Sequence, residues 1–178
     1  FKNAGKKVRA CKCGPDYIDP MFHREVLGID SENLDLYFCD RERLKERFMH
    51  HAEGAELVVT EGVMGYYDGI SLDSDQASTY DVARTLGLPV ILVVRARGMA
   101  STILAVLKGM IEYRNDSNIR GIILNRISPM LYPKMKKMIE EGLQTMGFQV
   151  QVVGYVPEED AFHLESRHLG LMLPEEIG

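Results

Sequence analysis

The sequence predicts an α/β fold with a doubly wound, mainly parallel sheet flanked by helices, and three observations lead there. Short β-branched runs with little polar alternation recur at residues 56–60, 89–94 and 121–125, as in strands covered on both faces. Helical periodicity fills the intervals between them. Glycines and charged residues cluster directly after the runs, where open α/β sheets bind ligands.

Taken in order, Val8-Arg9-Ala10-Cys11-Lys12-Cys13 alternates small apolar with basic residues and runs into Gly14-Pro15, the pattern of a strand entering a loop. A helix is expected from Pro20, a favoured first helical position, and others over 41–51, 76–86, 101–113 and 133–146, the last closed by Gly147. Val152-Val153 before Gly154 marks one more strand. Alternating βαβ order implies right-handed crossovers, so functional residues are sought just after each strand. The length of 178 residues suits one domain, 1–178.

Composition narrows the function classes. A hydrophobic share of 46% with 26% charged residues is that of an ordinary globular chain, and no apolar run reaches the ~18 residues of a membrane span. A formal charge of −5 offers no basic footprint for nucleic acid. Cys11, Cys13 and Cys39 lack a CxxC pair and sit near apolar segments, reading as core thiols in a reducing cytoplasm rather than metal ligands. The opening Phe1-Lys2-Asn3-Ala4-Gly5 has no signal-peptide pattern and reads as the end of an element, so the chain is expected to begin partway through a larger protein.

Two post-strand loops carry the strongest chemistry. Lys12-Cys13-Gly14-Pro15-Asp16-Tyr17-Ile18-Asp19-Pro20 sets an ammonium and two carboxylates around a turn; Asp16 as turn residue and Asp19 as helix cap is the structural alternative. Glu61-Gly62-Val63-Met64-Gly65-Tyr66-Tyr67-Asp68-Gly69 places an acid at a strand end, then three glycines and a second acid. Such an acid can hold Mg²⁺, and glycines admit a bound anion; a loop needing glycine dihedrals with solvated acids is the alternative. Arg95 and Arg97 precede a helix start, suited to an anion or simply to a loop capped by Ser101. Asn125 offers an amide to a nucleobase or to loop backbone, and the Arg167-His168 pair is isolated. Nothing has the order or context of a covalent hydrolase.

These strings, with Gly154-Tyr155-Val156-Pro157 and Arg167-His168-Leu169-Gly170-Leu171, resemble in order and spacing the successive motifs of the cobyrinic acid a,c-diamide synthase family. The resemblance implies a P-loop NTPase-like synthetase domain of the dethiobiotin-synthetase-like class. Such an enzyme activates the a- and c-carboxylates of a corrinoid with ATP and Mg²⁺, forming an acyl phosphate that ammonia attacks. It further implies that the ammonia comes from glutamine, hydrolysed in a glutaminase domain of the same full-length chain. Carried over residue by residue, Lys12, Asp16 and Asp19 fall in the substrate and Mg-ATP loop and Glu61 is a metal-associated acid, with Asp19 a second ligand. Asp68 lies near the reacting carboxylate, and Asn125 and Pro157 contact adenine. A phosphate-binding GxxxxGK[ST] loop does not occur within 1–178, so this stretch alone is expected to be inactive. Glu158 stands where an arginine is common, a departure that touches a nucleotide contact. A nickel-sirohydrochlorin diamide synthase shares the motifs; a partitioning-type P-loop ATPase does not predict the acid-rich loop. No nucleic-acid or membrane partner is expected, and a homodimer is compatible with the reading.

Overall fold

The computed structural model describes residues 1–159, 166–167 and 170–171. The chain forms two compact units, Phe1–Leu86 with Leu164–Gly178, and Gly87–His163.

In the first unit, strand β1 (Val8–Cys13), helix α1 (Ile18–Glu25), β2 (Ser31–Leu34), α2 (Arg41–Ala52), β3 (Leu57–Glu61) and α3 (Thr79–Leu86) follow in order. The sheet is parallel throughout with strand order β2-β1-β3. The chain steps from β1 to β2, then crosses back past β1 to β3, so successive right-handed crossovers place helices on opposite faces. Alternation along β1 bears this out: Cys11 and Cys13 pack on Leu44 of α2 and Val82 of α3, while Lys12 points to Asp19 of α1. The reversal of winding direction lies between β1 and β3, and open sheets bind ligands beyond the carboxyl ends of the strands at such a point.

The second unit holds β4 (Val90–Arg95), α4 (Thr102–Glu112), β5 (Ile119–Asn125), α5 (Tyr132–Thr145) and β6 (Gln151–Val156), again parallel, in the order β4-β5-β6. The winding does not reverse here, so α4 and α5 share one face, over Val94, Ile122, Leu124 and Val152. The two helices approach closely, since a Cβ at Gly142 would lie 2.8 Å from the Leu104 side chain. Ile91, Val93 and Val153 on the other face are exposed. Strands β7 (Ser166–Arg167) and β8 (Gly170–Leu171) pair antiparallel; His168 and Leu169 lie outside the described residues.

Every expected strand forms, with ends shifted by a few residues, and β2 is an addition. Helix α3 begins at Thr79 rather than residue 76, because Ala77 takes φ 59° and the Ser78 hydroxyl accepts from the Asp81 amide at 3.1 Å, a side-chain cap. Gly147 closes α5 as expected, at φ 89°.

Candidate functional site

The site in the first unit grows from a register. β1 and β3 pair so that Lys12 lies opposite Glu61, both near the carboxyl ends of the strands where the winding reverses. Lys12 is 4% exposed, and a buried ammonium needs partners. Its Nζ has three: Asp19 Oδ2 at 2.5 Å, Glu61 Oε1 at 3.1 Å and the Gly62 carbonyl at 3.1 Å. Burial alone would draw its pKa down, but the hydrogen bond it donates to Asp19 and the charge of Glu61 outweigh that and hold it above the ordinary lysine value. Lys12 therefore stays charged at neutral pH.

Asp19 reaches Lys12 because another residue does the capping. Asp16 Oδ1 accepts from the amides of Ile18 (2.8 Å) and Asp19 (3.2 Å), so α1 starts two residues before Pro20 and Asp19 sits in its first turn rather than capping it. The preceding turn is held from β2, where Asn33 Nδ2 donates to the carbonyls of Gly14 and Asp16, both at 2.7 Å. Gly14 takes φ 82° there, open to glycine without strain.

Glu61 divides its oxygens. Oε1 faces Lys12, and Oε2 lies 3.0 Å from His23 Nε2 on α1; His23 Nδ1 in turn lies 2.9 Å from the Ser31 hydroxyl on β2. The side chain of Asp35, just past β2, accepts from the Tyr37 amide with Oδ1 at 2.7 Å, while its Oδ2 is buried with no hydrogen-bond partner. A buried carboxylate oxygen left open is an observation that fits a hard cation, since Mg²⁺ takes oxygen ligands. Among the described residues no group of three His, Cys, Asp or Glu side chains is gathered as a ready metal cage. The carboxylates of Asp19 and Glu61 are hard oxygen donors of the kind Mg²⁺ takes, one or two per ion.

Asp68 serves its own loop. Its Oδ2 accepts from the Gly65 amide at 2.9 Å and its amide donates to the Gly65 carbonyl at 3.0 Å, a closed turn in which a Cβ at Gly65 would lie 2.4 Å from that same oxygen. Tyr66, Tyr67 and Tyr80 pack ring on ring behind it, with centroids 4.7 to 5.9 Å apart. Thr79 Oγ1 bridges the Val63 amide and carbonyl, tying the loop to α3.

In the second unit, Asn125 ends β5 and its carbonyl accepts from the Ala96 amide at 2.8 Å; Arg126 beyond it takes φ 57°. Pro157 directly follows β6, and Glu158 forms an ion pair with Arg97. Glu158 thus neutralises one of the two arginines read as anion-binding.

Of the residues singled out from sequence, Lys12, Asp19 and Glu61 are brought together and Asp16 supports them through backbone bonds. Missed were His23, Ser31, Asn33 and Asp35. His23 had a signal: it lies four residues after Asp19, on the same helix face.

A family profile described as an AAA domain matches residues 39–166. The chain is 40% identical to cobyrinate a,c-diamide synthase of Thermoplasma volcanium over 178 residues, 99% of this chain and 38% of that protein. It is 42% identical to the enzyme of that name from Caldanaerobacter subterraneus subsp. tengcongensis, over 93% of this chain and 35% of the relative. The Clostridium tetani relative, of the same name, is 42% identical over 97% of this chain and 37% of its own length. The chain thus spans little more than a third of the curated relatives it matches. No solved structure matches it.

Proposed function

Because the chain belongs to the AAA domain family, and by resemblance over nearly all its length to the cobyrinate a,c-diamide synthases, we propose that it forms part of an ATP-dependent ligase that amidates the a- and c-carboxylates of cobyrinate in cobalamin biosynthesis. The observation that carries the reading is the Lys12 ammonium, buried and fixed by Asp19 and Glu61 at the carboxyl ends of β1 and β3. Transfer of a γ-phosphoryl group to a carboxylate brings two anions together, so positioned cations matter more than a protein nucleophile.

Lys12 supplies a fixed positive charge for the developing phosphate or the substrate carboxylate. Glu61 and Asp19 are the residues that would hold Mg²⁺, which when bound would shield the charge of the nucleotide phosphates. Asp16 keeps the loop in the shape that delivers Asp19. Asn125 and Pro157 contact the adenine ring, and Asp68 orients the activated carboxyl for attack by ammonia. The ammonia is drawn from glutamine by a glutaminase domain of the full-length protein, and the enzyme works in the cytoplasm. Among the described residues no helix is long and apolar enough to cross a membrane.

The test is amide formation by the full-length protein with cobyrinate, glutamine and Mg-ATP, read by mass spectrometry as stepwise replacement of hydroxyl by amino groups. A nickel sirohydrochlorin substrate run in parallel decides between the two tetrapyrroles. Absence of amide with either would reject the reading.

A further inference from the structure

The residue that ties the site together is one the proposed reaction has not used. His23 is 13% exposed at its side chain, and both ring nitrogens are committed, Nε2 to Glu61 Oε2 at 3.0 Å and Nδ1 to Ser31 Oγ at 2.9 Å. A carboxylate only accepts, so Nε2 carries the hydrogen in this contact. In the neutral ring Nδ1 then accepts from the Ser31 hydroxyl, and Ser31 is itself buried on β2.

Glu61 needs such a partner. Its side chain is 49% exposed at the end of β3, and with Lys12 alone on Oε1 it would be free to pivot about that contact. The contact on Oε2 fixes the plane of the carboxylate. Histidine is suited to this because its ring has two torsions and both ends are anchored, so little freedom remains.

We propose that His23 is a positioning residue: through Nε2 it locks the Glu61 carboxylate in the orientation that serves both Lys12 and a nucleotide-bound divalent cation, with Ser31 fixing the ring. The proposal rests on the reading that Glu61 holds the cation. Partners that orient a metal-binding group typically change metal affinity by roughly 10- to 100-fold when removed.

Two substitutions separate the ends of the ring. His23→Gln places an amide nitrogen near the position of Nε2 and keeps the donor to Glu61, whereas His23→Asn reproduces only the Ser31 end. In full-length protein, Mn²⁺ binding is measured by electron paramagnetic resonance in the presence of ATP, alongside the melting temperature without ligands. His23→Asn is expected to weaken Mn²⁺ binding at least about 10-fold, and His23→Gln to stay within about 3-fold of the parent, by the same scale. In a Glu61→Gln background, exchanging His23 for Asn is expected to change nothing further. Equal Mn²⁺ affinity in parent and His23→Asn overturns the proposal, as does equal weakening by both substitutions or a persisting effect without the Glu61 carboxylate. The binding readout requires no amide product, so failure of the proposed reaction and failure of this inference give different results.

Discussion

Lys12 gives the sharpest test of how the site is held, through a double-substitution cycle with Asp19. The pair is 2.5 Å apart, with the lysine side chain 5% and the aspartate 17% exposed. Removing one member of a fully buried pair costs about 3–5 kcal/mol, because the other charge is left uncompensated. Asp19 retains some solvent and Glu61 is half-exposed, so Lys12→Met is expected at the lower end, about 3 kcal/mol. Asp19→Asn leaves Lys12 with Glu61 and the Gly62 carbonyl and should cost less, about 2 kcal/mol. In the double variant neither charge is stranded by the other's loss, so the sum of 5 should shrink to about 3, a coupling of about 2 kcal/mol. Urea denaturation of the four proteins measures this directly. Costs that add to within about 0.5 kcal/mol would mean the two groups do not depend on each other, and the account of the site would fail. In the amidation assay, Lys12→Met should lower kcat by about 10²–10³, the scale for losing one preorganised charge or donor.

Three other outcomes follow from the geometry. Asp16→Ala should cost about 1 kcal/mol by thermal or urea unfolding, as loss of a helix cap does, while Asp16→Asn, which keeps a capping oxygen, should cost much less. Asp68→Asn retains an acceptor for the Gly65 amide, so the loop should hold; continued phosphate release with loss of amide would support a role after activation, and unchanged rates of both would reduce Asp68 to a loop residue. Burial raises the Cys11 thiol to about 12 and that of Cys13 to about 11, so neither should react with iodoacetamide at pH 8 until urea exposes them. Both folded values lie above the ordinary 9.0, so the unfolded chain ionises first and stability should fall as pH rises from about 9 towards 12.

What the sequence made legible was whatever depends on local composition. The β-branched runs at β3, β4 and β5 announced strands because their side chains suit a pleated, buried surface. Strand β2 reads Ser-Glu-Asn-Leu and has no such signal; it is a strand because β1 pairs with it. Missing β2 concealed Asp35, an acid just past a strand end like Glu61. Lys12 and Glu61 were each visible as post-strand charges, but their meeting depends on the register between β1 and β3, which composition does not encode. The start of α1 went astray because Asp19-Pro20 is a good start signal and Asp16 is a better one, with two backbone amides in reach.

The two bonds from Asn33 to Gly14 and Asp16 have a consequence for anyone seeking to transplant the site. The acid-rich loop looks self-contained in sequence, a contiguous string that could be cut out and set on another sheet. Its shape is imposed by an amide 17 to 19 positions downstream on a different strand. A graft of the loop alone would carry the charges without the clamp, and the recipient would need an asparagine on the adjoining strand at matching height before Asp19 could meet its lysine. The portable unit is therefore two neighbouring strands with the helix between them, β1-α1-β2, and homologous recombination that separates β1 from β2 should break the site even where every motif residue survives.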